Sequence, residues 1–291
     1  MRRFAGYALA LLALAWLAGC SGAHFAYNNA DSVVRWMADD YFALEGAQAE
    51  DFKARLARFH GWHRSEELPR YSALLASAGD QLAAGLTAPK LLWAWDTVTE
   101  QYRRMAAQAA PDLAEMLVTL TPAQIAHLER RFAEANAKYA KKNLDGGAAE
   151  QRRRRDQRNL ELMREWFGDL SDEQEAQLQA AGARLPLLYA LRLENRQRRQ
   201  REFIALLQTY RSAAELEPRL RVWLTDWDAG ASSEYRRLSD LHRERYIRML
   251  LQLDNGLAPQ QRAHAVERLR GYAETFATLA AEGRPARLAS D

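Results

Sequence analysis

Beyond residue 50, apolar side chains recur at steps of three and four residues almost without interruption. Phe52, Leu56, Phe59 and His63 fall on one stripe, and Leu91, Trp95, Val98, Tyr102 and Met105 on a second. Ile125, Leu128, Phe132 and Tyr139 follow, then Phe203, Leu206, Leu207 and Tyr210, and last Val266, Leu269, Tyr272, Phe276 and Leu279. The positions between them are largely charged, which is the signature of amphipathic helices with one face turned inward. No stretch of alternating β-branched residues competes with this pattern. The expected fold is all-α, an elongated bundle of long antiparallel helices.

Turn signals divide the pattern. They fall at Leu68-Pro69, Ala88-Pro89, Ala110-Pro111, Asp145-Gly146-Gly147, Leu185-Pro186, Glu217-Pro218, Asp228 to Ser233 and Asn255-Gly256. Pro69 and Pro186 sit inside otherwise helical patterns and predict kinks or breaks. The polar Gly-Gly segment near residue 147 is the best internal boundary, giving helical halves at 31–145 and 150–281 and a frayed tail at 282–291. Within these, Leu44, Leu120, Leu170 and Leu257 each precede a glutamine by four residues, at Gln48, Gln124, Gln174 and Gln261. With Thr121 or Ser171 as N-cap, Gln124 or Gln174 at the third helical position can bond back to the cap backbone and close a capping box. Pro122 suits the first helical position, and Leu120 can pack on Ile125 across the cap. The motif resembles the Leu-Thr-x-x-Gln signature of the Spy and CpxP-like periplasmic chaperones, although any helix start can use a capping box. Spacings of 76 and 87 residues permit two related halves.

The N-terminus reads as an address. Arg2-Arg3, an apolar run from Phe4 to Ala18 and small residues before Cys20 make an export signal over residues 1–19. The run is shorter than the ~20 residues a membrane-spanning helix needs. Leu17-Ala18-Gly19-Cys20 resembles the lipobox of bacterial lipoproteins, which implies acylation of Cys20 after cleavage before it. Ser21 implies, by the same resemblance, sorting to the outer membrane, with the chain facing the periplasm and residues 20–30 as a lipid-anchored tether. Cys20 is the only cysteine, so no intramolecular disulfide can form. Removing residues 1–19 takes Arg2 and Arg3 away and lowers the formal charge from +3 to +1, so the basic balance gives no reason to expect a nucleic-acid partner. The expected partners are the membrane, through the anchor, and envelope proteins.

His60, His63 and Glu67 are spaced to share a helical face. Joined by Asp39 or Asp40, they could hold a divalent ion. Equally, His63 could continue the apolar stripe as a core histidine satisfied by an acidic neighbour. The spacing is not that of a zinc-protease helix. Arg152, Arg153, Arg154 and Arg155, with Arg158, form the strongest charge run, pointing all round a helix. It reads either as a salt-bridged surface with Glu150, Asp156 and Glu161, or as a patch for anionic headgroups, lipopolysaccharide or an acidic protein. Arg196 to Arg201, alternating with acids, reads as ordinary surface. Tryptophan pairs at 93/95 and 223/227, and Trp166 beside Phe167, either fill helix contacts or line an apolar groove.

Tyr27-Asn28-Asn29-Ala30-Asp31, Trp36-Met37-Ala38-Asp39-Asp40-Tyr41, His60-Gly61-Trp62-His63-Arg64 and Glu67-Leu68-Pro69-Arg70-Tyr71, just after a lipobox, resemble a family of uncharacterised Gram-negative lipoproteins. The resemblance covers essentially the whole chain after the signal and implies helical character and lipid attachment, with no catalytic residue. No phosphate loop, nucleophile elbow or cofactor motif is present. The function expected is binding or scaffolding, chaperone-like, without a cofactor; a metal-dependent protein is the alternative.

Overall fold

The computed structural model describes residues 20–283, and every regular element among them is helical. α1 (Cys20–Asn28), α2 (Ala30–Phe42) and α3 (Ala47–Trp62) lead into a π turn, His63–Glu67, and α4 (Leu68–Ala83). Next come α5 (Ala88–Leu117), α6 (Pro122–Leu144), α7 (Gly147–Phe167) and α8 (Asp172–Ala183). α9 (Tyr189–Thr209), α10 (Ala213–Thr225), α11 (Ser233–Asn255) and α12 (Pro259–Glu282) complete the chain. None of these helices is long and apolar enough to cross a membrane. Residues 1–19, with Leu17, Ala18 and Gly19, and the tail beyond Gly283 lie outside the described residues.

The most extensive helix–helix contacts join elements distant in sequence. α4 packs along α12, α5 on α10, and α6 on α9. Leu68 clusters with Leu279 at one end of the α4–α12 pair and Leu82 with Val266 at the other, so the two run antiparallel. Gly79 packs against α12, where a Cβ would make an ordinary contact of 3.7 Å with Leu269. The largest apolar cluster joins Tyr41, Leu117, Leu128, Phe203, Leu216 and Leu220. A second joins Leu82, Met163, Leu178, Met249, Leu253 and Ala265. Each draws on both sides of Gly146, so 31–145 and 150–281 build their cores jointly.

The glutamine repeat is where sequence and structure meet most closely. Thr121 and Ser171 accept from the backbone N–H groups of Gln124 and Gln174, whose side chains accept from the cap N–H groups, closing both boxes. At Ala258 only the return half exists, from Ala258 N–H to Gln261 at 2.9 Å, because alanine offers no side-chain acceptor. The four glutamines then pair two by two. Gln124 donates to Gln48 at 2.7 Å, and Gln174 and Gln261 exchange amide bonds of 2.8 and 2.9 Å. Spare donors reach across to backbone carbonyls: Gln48 to Thr119, Gln124 to Ala43, Gln174 to Gly256 and Gln261 to Asp169. Each side chain thus serves a helix end and ties two ends together, satisfying groups that helix termini leave orphaned. Ala43 caps α2 in the left-handed region at φ 47°, costly for a residue with a Cβ, and Gln124 holds its carbonyl.

Several expectations need correcting. Residues 20–28 form helix α1, packed on α12 with Ala23 buried, where a tether was expected. Pro69 does not break the chain's helical path. Its ring would collide with the carbonyl four residues back, and the π turn just before it widens the ladder there. Pro111 and Pro218 lie inside α5 and α10 rather than at turns. Each removes one ladder bond, and the packing of Ala110, Ala114, Leu216 and Leu220, all essentially buried, offsets that loss. Pro186 does fall in the break between α8 and α9. The stripe from Leu91 to Met105 is not a covered face, for Trp95 is 53% and Val98 71% exposed.

Candidate functional site

The densest polar and aromatic wiring surrounds the π turn. His60 on α3 and His63 at the start of the turn face Tyr27 of α1, with ring centroids 4.7 and 5.7 Å away. Tyr71 of α4 meets His63 edge-on at 5.4 Å. Burial pushes His63 down to about 4, with nearby His60 adding to it, so the ring is neutral at ordinary pH. Burial likewise raises Tyr27 to about 12. The Tyr27 hydroxyl and His63 Nδ1 share a hydrogen bond of 3.0 Å. His60 is lowered too, first by burial and then by Arg64.

Glu67 closes the turn and is fully buried. Arg104 of α5 donates to its Oε1 at 2.8 Å, with Arg70 at 3.9 Å. That bond, more than any other cause, raises the Arg104 guanidinium above its ordinary value. His60 Nε2, Glu67 Oε2 and the Tyr71 hydroxyl are buried without a hydrogen-bond partner among the described residues. Beside this cluster, His24 bonds Glu282 at 2.8 Å, and Arg64 reaches Asn28 and Glu282. The cluster therefore clamps α1 to the π turn and to the end of α12.

This is not the metal set the spacing suggested. Asp40 commits both carboxylate oxygens to Arg131 of α6, at 2.6 and 2.7 Å, and Asp39 is exposed on α2. Neither joins His60 and His63, and Glu67 is engaged by Arg104. Among the described residues no three of His, Cys, Asp and Glu gather closely enough to hold a metal ion. The sequence named Tyr27 and Tyr71 only as parts of dense segments, and it missed Arg104, 37 residues from its partner. A buried glutamate demands a cation, but nothing in the local sequence says which one.

The arginine run divides by register. Arg153 pairs with Glu150 at 2.7 Å, and Arg154 bonds Glu150 and the Asp145 carbonyl. Arg158 bonds the Tyr189 hydroxyl at 2.6 Å. Arg155 is buried and donates to the Gly182 and Leu185 carbonyls at 2.5 and 2.8 Å, stabilising the C-terminal end of α8 as a cation should. Arg152 stays exposed. Arg196 and Arg199 are not ordinary surface: burial lowers Arg196 to about 10, and Arg199 lies 4.5 Å over the Trp223 ring.

Trp223 stacks on Phe203 at 4.7 Å and Trp166 packs against the second core cluster, so both serve as packing. Trp95 and Trp227 remain at the surface. Between α9 and α10 lies a groove of about 710 Å³, with Leu206, Tyr210, Pro218, Val222 and Trp223 in its lining and Arg219 among its charged residues. Val222 there is 57% exposed. Trp227, just after α10, meets Tyr102 of α5 at 4.3 Å, on the helix that carries Trp95 and Val98.

Fold and site together define an all-α protein with an aromatic–imidazole clamp at a π turn and an open apolar groove. The chain belongs to the Family of unknown function (DUF6279), whose model matches residues 40–236. The match begins at Asp40 and ends before most of α11, so it covers less of the chain than the N-terminal motifs led one to expect. No curated protein and no solved structure matches.

Proposed function

We propose that this is an exported lipoprotein, acylated at Cys20 and held on the periplasmic face of the outer membrane, whose helical body binds or scaffolds envelope proteins in a chaperone-like way and performs no chemistry. The observation that carries the binding part is the apolar groove between α9 and α10, with Val222 projecting into solvent. Exposed apolar surface of this kind marks contact sites more often than neutral surface does. The Leu-Ala-Gly-Cys tetrad supports the anchor.

Two measurements test the reading. Suppression of aggregation of an unfolded client by the purified protein should weaken several-fold in Val222→Asp, with thermal stability unchanged. An unaltered variant, or an inactive parent, refutes the groove. Radiolabelled palmitate should enter the parent chain and not Cys20→Ser, and equal labelling or equal fractionation of the two refutes the anchor.

A further inference from the structure

A second cavity, of about 390 Å³, opens between α7, the end of α8 and α11. Arg152, Arg184, Arg245, Arg248 and Gln252 line it, with Pro186 from the following connection, and no carboxylate is in its lining. Of the four arginines only Arg248 has an ion pair among the described residues, with Glu244 at 2.7 Å. Arg245 donates to the Arg184 carbonyl, which ties α11 to the end of α8. Arg152 and Arg184 are exposed, with no carboxylate partner among the described residues. Beneath them Arg155 fixes the cavity wall through the Gly182 and Leu185 carbonyls. Gly182 lies so near Asp156 that a Cβ would come within 2.8 Å of its carboxylate, so α7 and α8 meet closely beneath the cavity.

Guanidinium groups gathered in one concavity repel each other, and a multivalent anion relieves that repulsion. Guanidinium forks match phosphate oxygens in geometry as well as in charge. The volume falls in the range of small-molecule sites, more than a lone inorganic anion fills.

We propose that this cavity binds a phosphate ester or pyrophosphate group carrying at least two negative charges, with Arg152, Arg184 and Arg245 as its principal contacts. The group can belong to a lipid headgroup or to a free phosphate compound. The site is independent of the anchor and of the apolar groove.

The test titrates the full chain in neutral detergent, by calorimetry, with inorganic pyrophosphate and separately with micelles containing phosphatidic acid or phosphatidylcholine. Binding of pyrophosphate, or of phosphatidic acid and not phosphatidylcholine, is expected. Phosphatidic acid alone assigns the headgroup, whereas pyrophosphate assigns the phosphate group itself. Arg152→Gln/Arg245→Gln should weaken binding about tenfold or more, the loss of one or two charge-assisted contacts. Arg184→Gln alone, at an exposed side chain, should weaken it with unchanged melting. Arg236→Gln/Arg237→Gln, which removes the same charge from exposed positions outside the cavity, should leave affinity within about twofold. Failure of both anions to bind, or equal losses in cavity and control variants, overturns the proposal.

Discussion

Acidification should loosen this protein through His63. The ring is held neutral by burial and is hydrogen-bonded to Tyr27, and its value falls from 6.5 to about 4. Above pH 6.5 both folded and unfolded chains carry a neutral imidazole, and the site's contribution is intact. As pH falls below 6.5 the unfolded chain takes up the proton first, so stability is lost progressively and the loss is complete below about 4. The full penalty is about 3 kcal/mol, of which about 2 kcal/mol is felt between pH 7.5 and 5. Urea unfolding followed by tryptophan fluorescence at those two pH values measures it. His63→Phe keeps a ring against Tyr27 and Tyr71 but cannot titrate, so it should start less stable at pH 7.5 and lose about 2 kcal/mol less than the parent on acidification. His242, also lowered to about 4, and the paired carboxylates contribute to both proteins and cancel in the comparison. Parallel losses in parent and variant would show that His63 titrates as a solvent-exposed histidine does, and the clamp reasoning would fail.

Other substitutions probe the packing. Gln174→Ala removes its bonds to the Ser171 N–H, the Gly256 carbonyl and Gln261, and should cost about 2 kcal/mol in chemical unfolding. Arg104→Leu strands the buried Glu67 carboxylate, and should cost about 2–3 kcal/mol, less than for a fully enclosed pair because Arg104 is partly solvated. Adding Glu67→Leu to it should recover much of that loss, which a double-mutant cycle would read. Ala43→Gly should stabilise by about 0.5–1 kcal/mol by relieving the left-handed backbone, seen as a higher melting temperature.

How much of this was legible depended on whether the signal was local. Helix starts at Thr121 and Ser171 were readable because a capping box is complete within four residues. That the boxes would pair through Gln48 and Gln261 was not, since the partner lies 76 or 87 positions away. Periodicity announced the Trp95–Val98 stripe but could not say whether another helix would cover it. Asp40 was set beside histidines by proximity in sequence, whereas the fold gave it Arg131. Arg155 looked like one more surface charge, and its burial follows only from the carbonyls at the end of α8. Pro111 and Pro218 read as stops because the cost of a lost backbone bond is local, while the packing that offsets it is not.

Helix α1 also sets a length scale. Nine residues coiled at 1.5 Å each rise about 14 Å, whereas the same residues drawn out would reach about 30 Å. If Cys20 is acylated as proposed, then with α1 docked against α12 the body would ride close over the bilayer instead of sweeping a wide volume on a leash. Such a protein would meet whatever emerges at the membrane surface at high effective concentration, and molecules deep in the compartment would have to come to it.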